Sequence, residues 1–454
     1  ARYEAPPGAA LTPATLQRWW LVFGDPALDA LEDQALRASP DARTARARVA
    51  EALGVRDAGI ASTFPTGHIA GNATRQRASN IGGPSTSLFP IGGTTESETL
   101  NLNVSWELDL FGRLAQQRGV ANADLAAALF DVDATWASLV AGVADNYFAA
   151  AGLAIQLADA RESVRIESEL ERIAARKAAV GLGAASDADR VAGDLARARS
   201  DVEELESQLH NAKRQILILI GRGADPSDSL PIEARAADAP APPAALPGDL
   251  LERRPDILEA AARLRAQRGT DRLAHLAIFP TFTLLPGLGL SRSVQPGVSF
   301  IPPATLIPAQ QTTSLGFWSL GAGVSVPLLD IPRLLYQARA EDARTREALV
   351  AYEKTVQTAY GEAENALTAL AAGERGVSVL REGEARARRA SDAARRRFAM
   401  GLDDITAALS AEQAWRATRA AYTAERIVAL RRAVQTYKAL GGGWAFAAAG
   451  APNA

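Results

Sequence analysis

The stretch TLNLNVSWELDLFGRL at residues 99–114 changes its period partway through. Up to Leu108 it alternates strictly. Leu100, Leu102, Val104, Trp106 and Leu108 fall on one face, and Thr99, Asn101, Asn103, Ser105 and Glu107 fall on the other, which is the pattern of a strand with one apolar side. Past Phe111 and Gly112 the apolar residues recur at spacings of three and four with no proline to interrupt them, so the chain runs on as one very long helix. At about 1.5 Å per residue a helix over 113–180 spans roughly 100 Å, more than a compact globular domain requires.

The same order of elements occurs twice. Pro40, Asp41, Phe64 and Pro65 of the first half correspond to Pro255, Asp256, Phe279 and Pro280 of the second, each pair 215 residues apart. Arg113, Gly181 and Gly221 correspond to Arg333, Gly401 and Gly441 at an offset of 220, so the five extra residues fall in the proline-rich loops of the second copy. The expected organisation is an N-terminal strap at 1–24, a first repeat at 25–221, a linker at 222–247, a second repeat at 248–441 and a tail at 442–454. Each repeat reads as opening helix, strand, loop, strand, long helix, tight turn and returning helix. In the first the strands are expected near 66–76 and 98–108 and the hairpin at 113–221; in the second, near 281–291 and 315–328 and at 333–440. Helices of this length paired across tight turns form antiparallel coiled-coil hairpins, and their alanine content suits close packing.

A strand face of Leu, Leu, Val, Trp and Leu must lie against protein or lipid. The second copy has the same device in LGAGVSVPL, where Leu320, Val324 and Val326 alternate with small residues. Segments of about ten residues, apolar on one side and small or polar on the other, joined by loops free of charge, match transmembrane barrel strands around a wet lumen. Four strands cannot close a barrel, and open edges are not tolerated in lipid, so such a chain must oligomerise; three copies supply twelve strands. A soluble sheet packed on the helices is the alternative. The uncharged runs at 273–291 and 293–329 are not membrane helices, because prolines at 280, 286, 296, 302, 303, 308 and 327 interrupt them.

Composition narrows the rest. The chain of 454 residues carries a net charge of −3, with Lys and Arg interspersed among Asp and Glu, which argues against nucleic acid as a partner. It has no cysteine, three histidines and one methionine, so disulfides and thiolate sites are excluded and no metal or cofactor is expected. No phosphate loop, GxSxG or HExxH is present, and His68, His210 and His275 lie on separate elements, which argues against an enzyme.

WELDLFGRL at 106–114, DLLERRPDILEA at 249–260 and YKALGGGW at 437–444 closely resemble signatures of the TolC-like outer-membrane efflux factors, in the NodT-like lipoprotein branch that serves tripartite resistance-nodulation-division pumps. With the twofold repeat, the resemblance covers nearly the whole chain. It implies an α+β membrane protein: a homotrimer whose 12-stranded transmembrane β-barrel, four strands per chain, is continuous with a long α-helical coiled-coil tunnel in the periplasm. It implies a passive duct for small molecules, with a periplasmic adaptor (membrane fusion protein), an inner-membrane pump and outer-membrane lipid as partners. A type I protein-secretion duct and a soluble coiled-coil scaffold are the alternatives. On this reading Leu100, Leu102, Val104, Trp106, Leu320, Val324 and Val326 face lipid, Asn101, Asn103 and Glu107 face the lumen, and Phe111-Gly112 is the elbow between barrel and tunnel.

The same resemblance makes Gly181, Leu182, Gly183, Gly401 and Leu402 the periplasmic tips that contact the adaptor. Relatives often carry an aspartate and, three residues later, an arginine on the helix returning from the second tip. Those positions fall here on Ser410 and Gln413, where this sequence departs from the pattern. The gate candidates are therefore Asp403, Asp404, Thr406, Ser410 and Gln413, with an acidic ring of Asp403 and Asp404 set against a simple dipole-favoured first turn. The branch carries a lipidated cysteine, which is expected just before Ala1.

Overall fold

The computed structural model describes residues 18–78, 93–241, 247–301 and 305–442. Most of the expected strap, the tail from 443 onward and Trp444 of the third signature lie outside the described residues. After a 3-10 turn at Trp19–Phe23, Asp25 accepts a hydrogen bond from the Ala27 amide at 3.0 Å and caps α1 (Pro26–Ala38). The opening helix expected over 25–61 is in fact two helices, because Ser39 is extended and α2 (Pro40–Ala61) restarts on a proline that has no N–H to continue the first. The second copy breaks at the equivalent place, between α5 (Leu250–Arg253) and α6 (Pro255–Leu276), where Arg254 is extended before its proline.

The hairpins match their expected bounds within two residues. In the first copy α3 (Arg113–Ala179) turns into α4 (Ala185–Leu219), and in the second α7 (Ile331–Ala399) turns into α8 (Ile405–Ala439). The strands are β1 (Thr66–Ala78), β2 (Gly93–Leu108), β3 (Thr281–Ile301) and β4 (Thr305–Ser325). The chain forms two compact units, and each draws on both repeats: Leu53–Leu125 with Arg263–Ala348, and the remainder.

The first unit carries one antiparallel sheet in the order β1-β2-β3-β4. β3 and β4 are 21 residues each and pair along their whole length, well past the bounds expected from alternation. Pro286 lies in an interior strand, and the register of β3 on β2 lapses opposite it, with no partner given by β3 to Val104 or Ser105. β4 stops at Ser325, three residues before the expected end, because Pro327 leads into a 3-10 turn at Leu328–Asp330.

The second unit is helical, with a core of Trp19, Trp20, Leu28, Leu217, Leu430 and Tyr437, all fully buried. Trp19 stacks on Tyr437 with ring centroids 5.6 Å apart, and the Tyr437 hydroxyl donates to the Ala241 carbonyl at 3.1 Å. The YKALG signature therefore has a structural role, closing α8 against the 3-10 turn at the chain's start and against the linker. Glu32 of α1 is also fully buried, and neither of its carboxylate oxygens has a hydrogen-bond partner.

Burial first, and then the charges of Asp29 and Asp33, push the Glu32 carboxyl well above the usual carboxylate range. A folded-state pKa above the unfolded value means the native state holds the extra proton, so this contribution to stability is present below pH about 4.3 and is lost as pH rises toward the folded value. Glu32→Gln lacks the titration. Its unfolding free energy is expected to gain on that of the wild type as pH rises from about 5 to about 8, by up to about 1.4 kcal/mol per pH unit until the folded value is reached, and its melting temperature rises relative to wild type accordingly. Parallel thermal-melting profiles for the two proteins across that range would refute the assignment.

Candidate functional site

The sheet has an apolar face that the register assembles from all four strands. Leu102 pairs with Ile69 and Leu288, and Leu288 pairs with Trp318; Leu100 pairs with Leu290, Trp106 with Leu284, Leu320 with Pro286 and Val324 with Phe282. Cross-strand partners share a face, so Leu100, Leu102, Val104, Trp106, Leu320 and Val324 all lie on one side. Trp318 is 76% exposed and Leu288 58%, which in water would be a costly apolar surface. Val326 falls just past the end of β4, in the turn.

The opposite face carries Asn101 and Asn103 opposite Gly289 and Gly287. A side chain added at Gly289 would strike the Phe317 ring at 2.3 Å and the Asn101 amide at 2.6 Å, so the ring occupies the space the glycine leaves.

At the end of β2 the WELDLFGRL signature is a strand-to-helix junction. The Asp109 carboxylate accepts from the amides of Leu114 at 3.0 Å and Ala115 at 2.9 Å, capping α3. Phe111 packs on Phe279 with centroids 5.0 Å apart. Arg113 Nε donates to Glu107 Oε1 at 2.8 Å, so Glu107, on the face of Asn101 and Asn103, is partly buried and held in an ion pair across the junction.

The helix reversals of the second unit are built alike. Gly181 at φ 75° and Gly401 at φ 73° occupy the left-handed region, which lets the Leu182 amide reach the Lys177 carbonyl at 2.8 Å and the Leu402 amide reach that of Arg397 at 2.9 Å. Gly183 follows in the first turn, where an added Cβ would stand 3.2 Å from that of Lys177. Leu182 is 79% exposed and Leu402 65%, so each reversal presents an apolar side chain to its surroundings.

The gate candidates take unequal places. Asp404 is the N-cap of α8, its carboxylate accepting from the Ala407 amide at 2.9 Å, and Asp403 pairs with Arg397 Nε at 2.7 Å. The structure thus engages both acids locally, in the arrangement of a capped first turn. The Thr406 hydroxyl accepts from Arg190 Nη2 at 3.2 Å, joining α8 to α4. Ser410 and Gln413 are exposed on α8, and Gln413 lines a cleft of about 860 Å³ together with Asp194, Glu167 and Arg416.

The more consequential charges lie beyond these positions. Arg416 of α8 donates to Glu167 of α3 and lies 3.3 Å from Glu412, while Glu412 accepts from the Ser391 hydroxyl of α7 at 2.5 Å. Glu412 is 2% exposed and Glu167 5%. Arg419 and Arg431 repeat the theme further along α8, donating at 2.8 Å to Asp159 and Asp145 of α3. Three arginines of one hairpin thus meet three acids of the other. In the sequence the only trace is the basic spacing on α8, because the acids are about 250 residues away or more.

Comparison with known proteins accounts for this assembly. The model of the family described as Outer membrane efflux protein matches residues 31–222 and 246–442. The chain is 29% identical to the pyoverdine export outer membrane protein OpmQ of Pseudomonas aeruginosa, over 94% of this chain and 88% of that protein. It is 24% identical to the cation efflux system protein CusC of Escherichia coli, over 94% of this chain and 88% of that protein. The solved outer-membrane channel OprN matches with a TM-score of 0.80 at 27% identity, covering 98% of this chain and 99% of that one. The chain belongs to the outer membrane efflux protein family and has the fold of its outer-membrane channels.

Proposed function

We propose that three copies of this chain close a 12-stranded barrel in the outer membrane, and that their helical hairpins line a periplasmic duct through which small molecules leave the cell. The observation that carries this reading is the sheet. It has an exposed apolar face, and its outer strands each have a single neighbour, β1 pairing with β2 and β4 with β3 among the described residues. An edge of unpaired N–H and C=O groups is intolerable in lipid, so further strands from other copies must meet it.

The duct is passive and non-catalytic, and it works with an inner-membrane resistance-nodulation-division pump and a periplasmic adaptor. The exposed Leu182 and Leu402 at the two reversals support those turns as the surface that meets the adaptor. The cargo is set by the pump, in keeping with relatives whose names refer to pyoverdine in one case and cations in another. The closed state is held around the second reversal, where Asp403, Asp404, Thr406, Ser410 and Gln413 lie, and by the arginine–carboxylate contacts between α8 and α3.

The test is reconstitution. Purified in detergent, the protein is expected to have the mass of a trimer and to insert into planar bilayers as an ion-conducting pore. A monodisperse monomer that stays soluble without detergent and never conducts would remove the membrane reading.

A further inference from the structure

We infer that Asp271, His275 and Asp342 form a binding site for one divalent transition-metal cation of the zinc class, bridging α6 and α7. Asp271 and His275 are four residues apart on one face of α6, and Asp342 comes from the facing α7. His275 Nε2 lies 3.4 Å from Asp342 Oδ1 and 3.7 Å from Asp271 Oδ1, and all three donor atoms fall within 4.8 Å of one another. Donors arranged tetrahedrally around a zinc ion at about 2.0–2.2 Å stand about 3.3–3.6 Å apart, so the two histidine–carboxylate separations are close to what a bound ion needs, and small side-chain rotations bring in the rest. The fourth position is left to water, since His275 is half-exposed.

The electrostatics point the same way. Asp271 Oδ1 is buried and has no hydrogen-bond partner, an expensive state for a carboxylate oxygen and one that a cation relieves. The adjacent Glu341 is already occupied, by Gln267 Nε2 at 2.8 Å and by Arg344, so the half-exposed His275 is the one side chain facing both aspartates among the described residues. One imidazole nitrogen with two carboxylates selects zinc-like ions over magnesium, which takes oxygen ligands and holds its water tightly. A bound ion ties together the two helices on either side of the β3–β4 hairpin, since α6 leads into β3 and α7 follows β4.

The experiment is calorimetric titration of the full-length protein in detergent with zinc chloride, alongside thermal melting with and without the ion. The expected result is one zinc per chain, a raised melting temperature, affinity lower by on the order of tenfold or more in His275→Ala and in Asp342→Asn, and no competition from a large excess of magnesium. His275 is half-exposed and packs no core, so its alanine variant folds and the comparison is informative. Wild-type protein that takes up no zinc, a His275→Ala variant that binds as well as wild type, or zinc displaced by magnesium would each overturn the assignment. None of these outcomes bears on the duct itself.

Discussion

Arg254→Ala is expected to lower the melting temperature markedly, with a cost of about 1.5–3 kcal/mol per chain from the lost charged hydrogen bonds. The residue is only 8% exposed, and its guanidinium uses nearly all of its donors. Nη1 donates to the Ala439 carbonyl at 3.1 Å and the Ala359 carbonyl at 3.4 Å, Nη2 to Asp256 at 2.6 Å and Glu362 at 2.7 Å, and Nε to Asp256 at 3.0 Å. A single side chain thus joins the break between α5 and α6, the middle of α7 and the last turn of α8. Truncation takes the side-chain donor from the Ala439 carbonyl in the last turn of α8 and the cation from Asp256 and Glu362, which water reaches only in part. Arg254→Lys should rescue little, because an ammonium cannot present five donors in a planar fork. Thermal melting of the three proteins in detergent decides it. An alanine variant that melts within a degree or two of wild type would show that the RRPD signature owes its form to something other than this clamp.

The fold was legible in the sequence wherever local chemistry sets it. The change of period at Phe111-Gly112 marks the strand-to-helix junction, and the residues that make it work, Asp109 as cap and Gly112 at φ 77°, are in the quoted stretch itself. The glycines at 181 and 401 fix both reversals, and the offsets of 215 and then 220 between repeats carry most helix boundaries into the second copy within two residues. The break at Ser39-Pro40 was legible too, since a proline after a serine is a helix start, but continuous apolar spacing on either side conceals it.

The lengths of β3 and β4 were not legible, because Gly, Ser, Thr, Gln and Pro read as loop until a partner strand pairs with them. The same limit hides the site chemistry. Asp271 and His275 sit at helical spacing in plain view, yet their third member is 67 residues from His275, beyond a complete strand hairpin. Ser410 and Gln413 stand out as departures from a family pattern, while the buried acid between them, Glu412, is the one that the packing of α7 and α8 brings into use.

That packing leads to the second large effect. Arg416→Ala is expected to open the duct, seen as larger or more frequent single-channel currents in planar bilayers. The arginine is the only cation between Glu167 and Glu412 that joins α3 to α8 among the described residues, and both acids are buried. Removing it leaves Glu412 with the Ser391 hydroxyl and with Arg395 at 3.7 Å, but strips Glu167 of its charge partner, and the other Glu167 oxygen is already unpaired. Breaking a buried pair from one side costs about 3–5 kcal/mol, and separating α3 from α8 to admit water relieves Glu167 of that cost. The change should stay confined to the last few turns before the reversals, because Arg419–Asp159 and Arg431–Asp145 still hold the same two helices together further on. The double variant Glu167→Gln/Arg416→Ala replaces the stranded charge with a neutral amide and should regain most of the closed behaviour. Currents in Arg416→Ala that match wild type in size and frequency would mean that the α3–α8 contact is structural and the duct is closed elsewhere. Opening that Glu167→Gln does not reverse would place the effect on Glu412 and its link to α7.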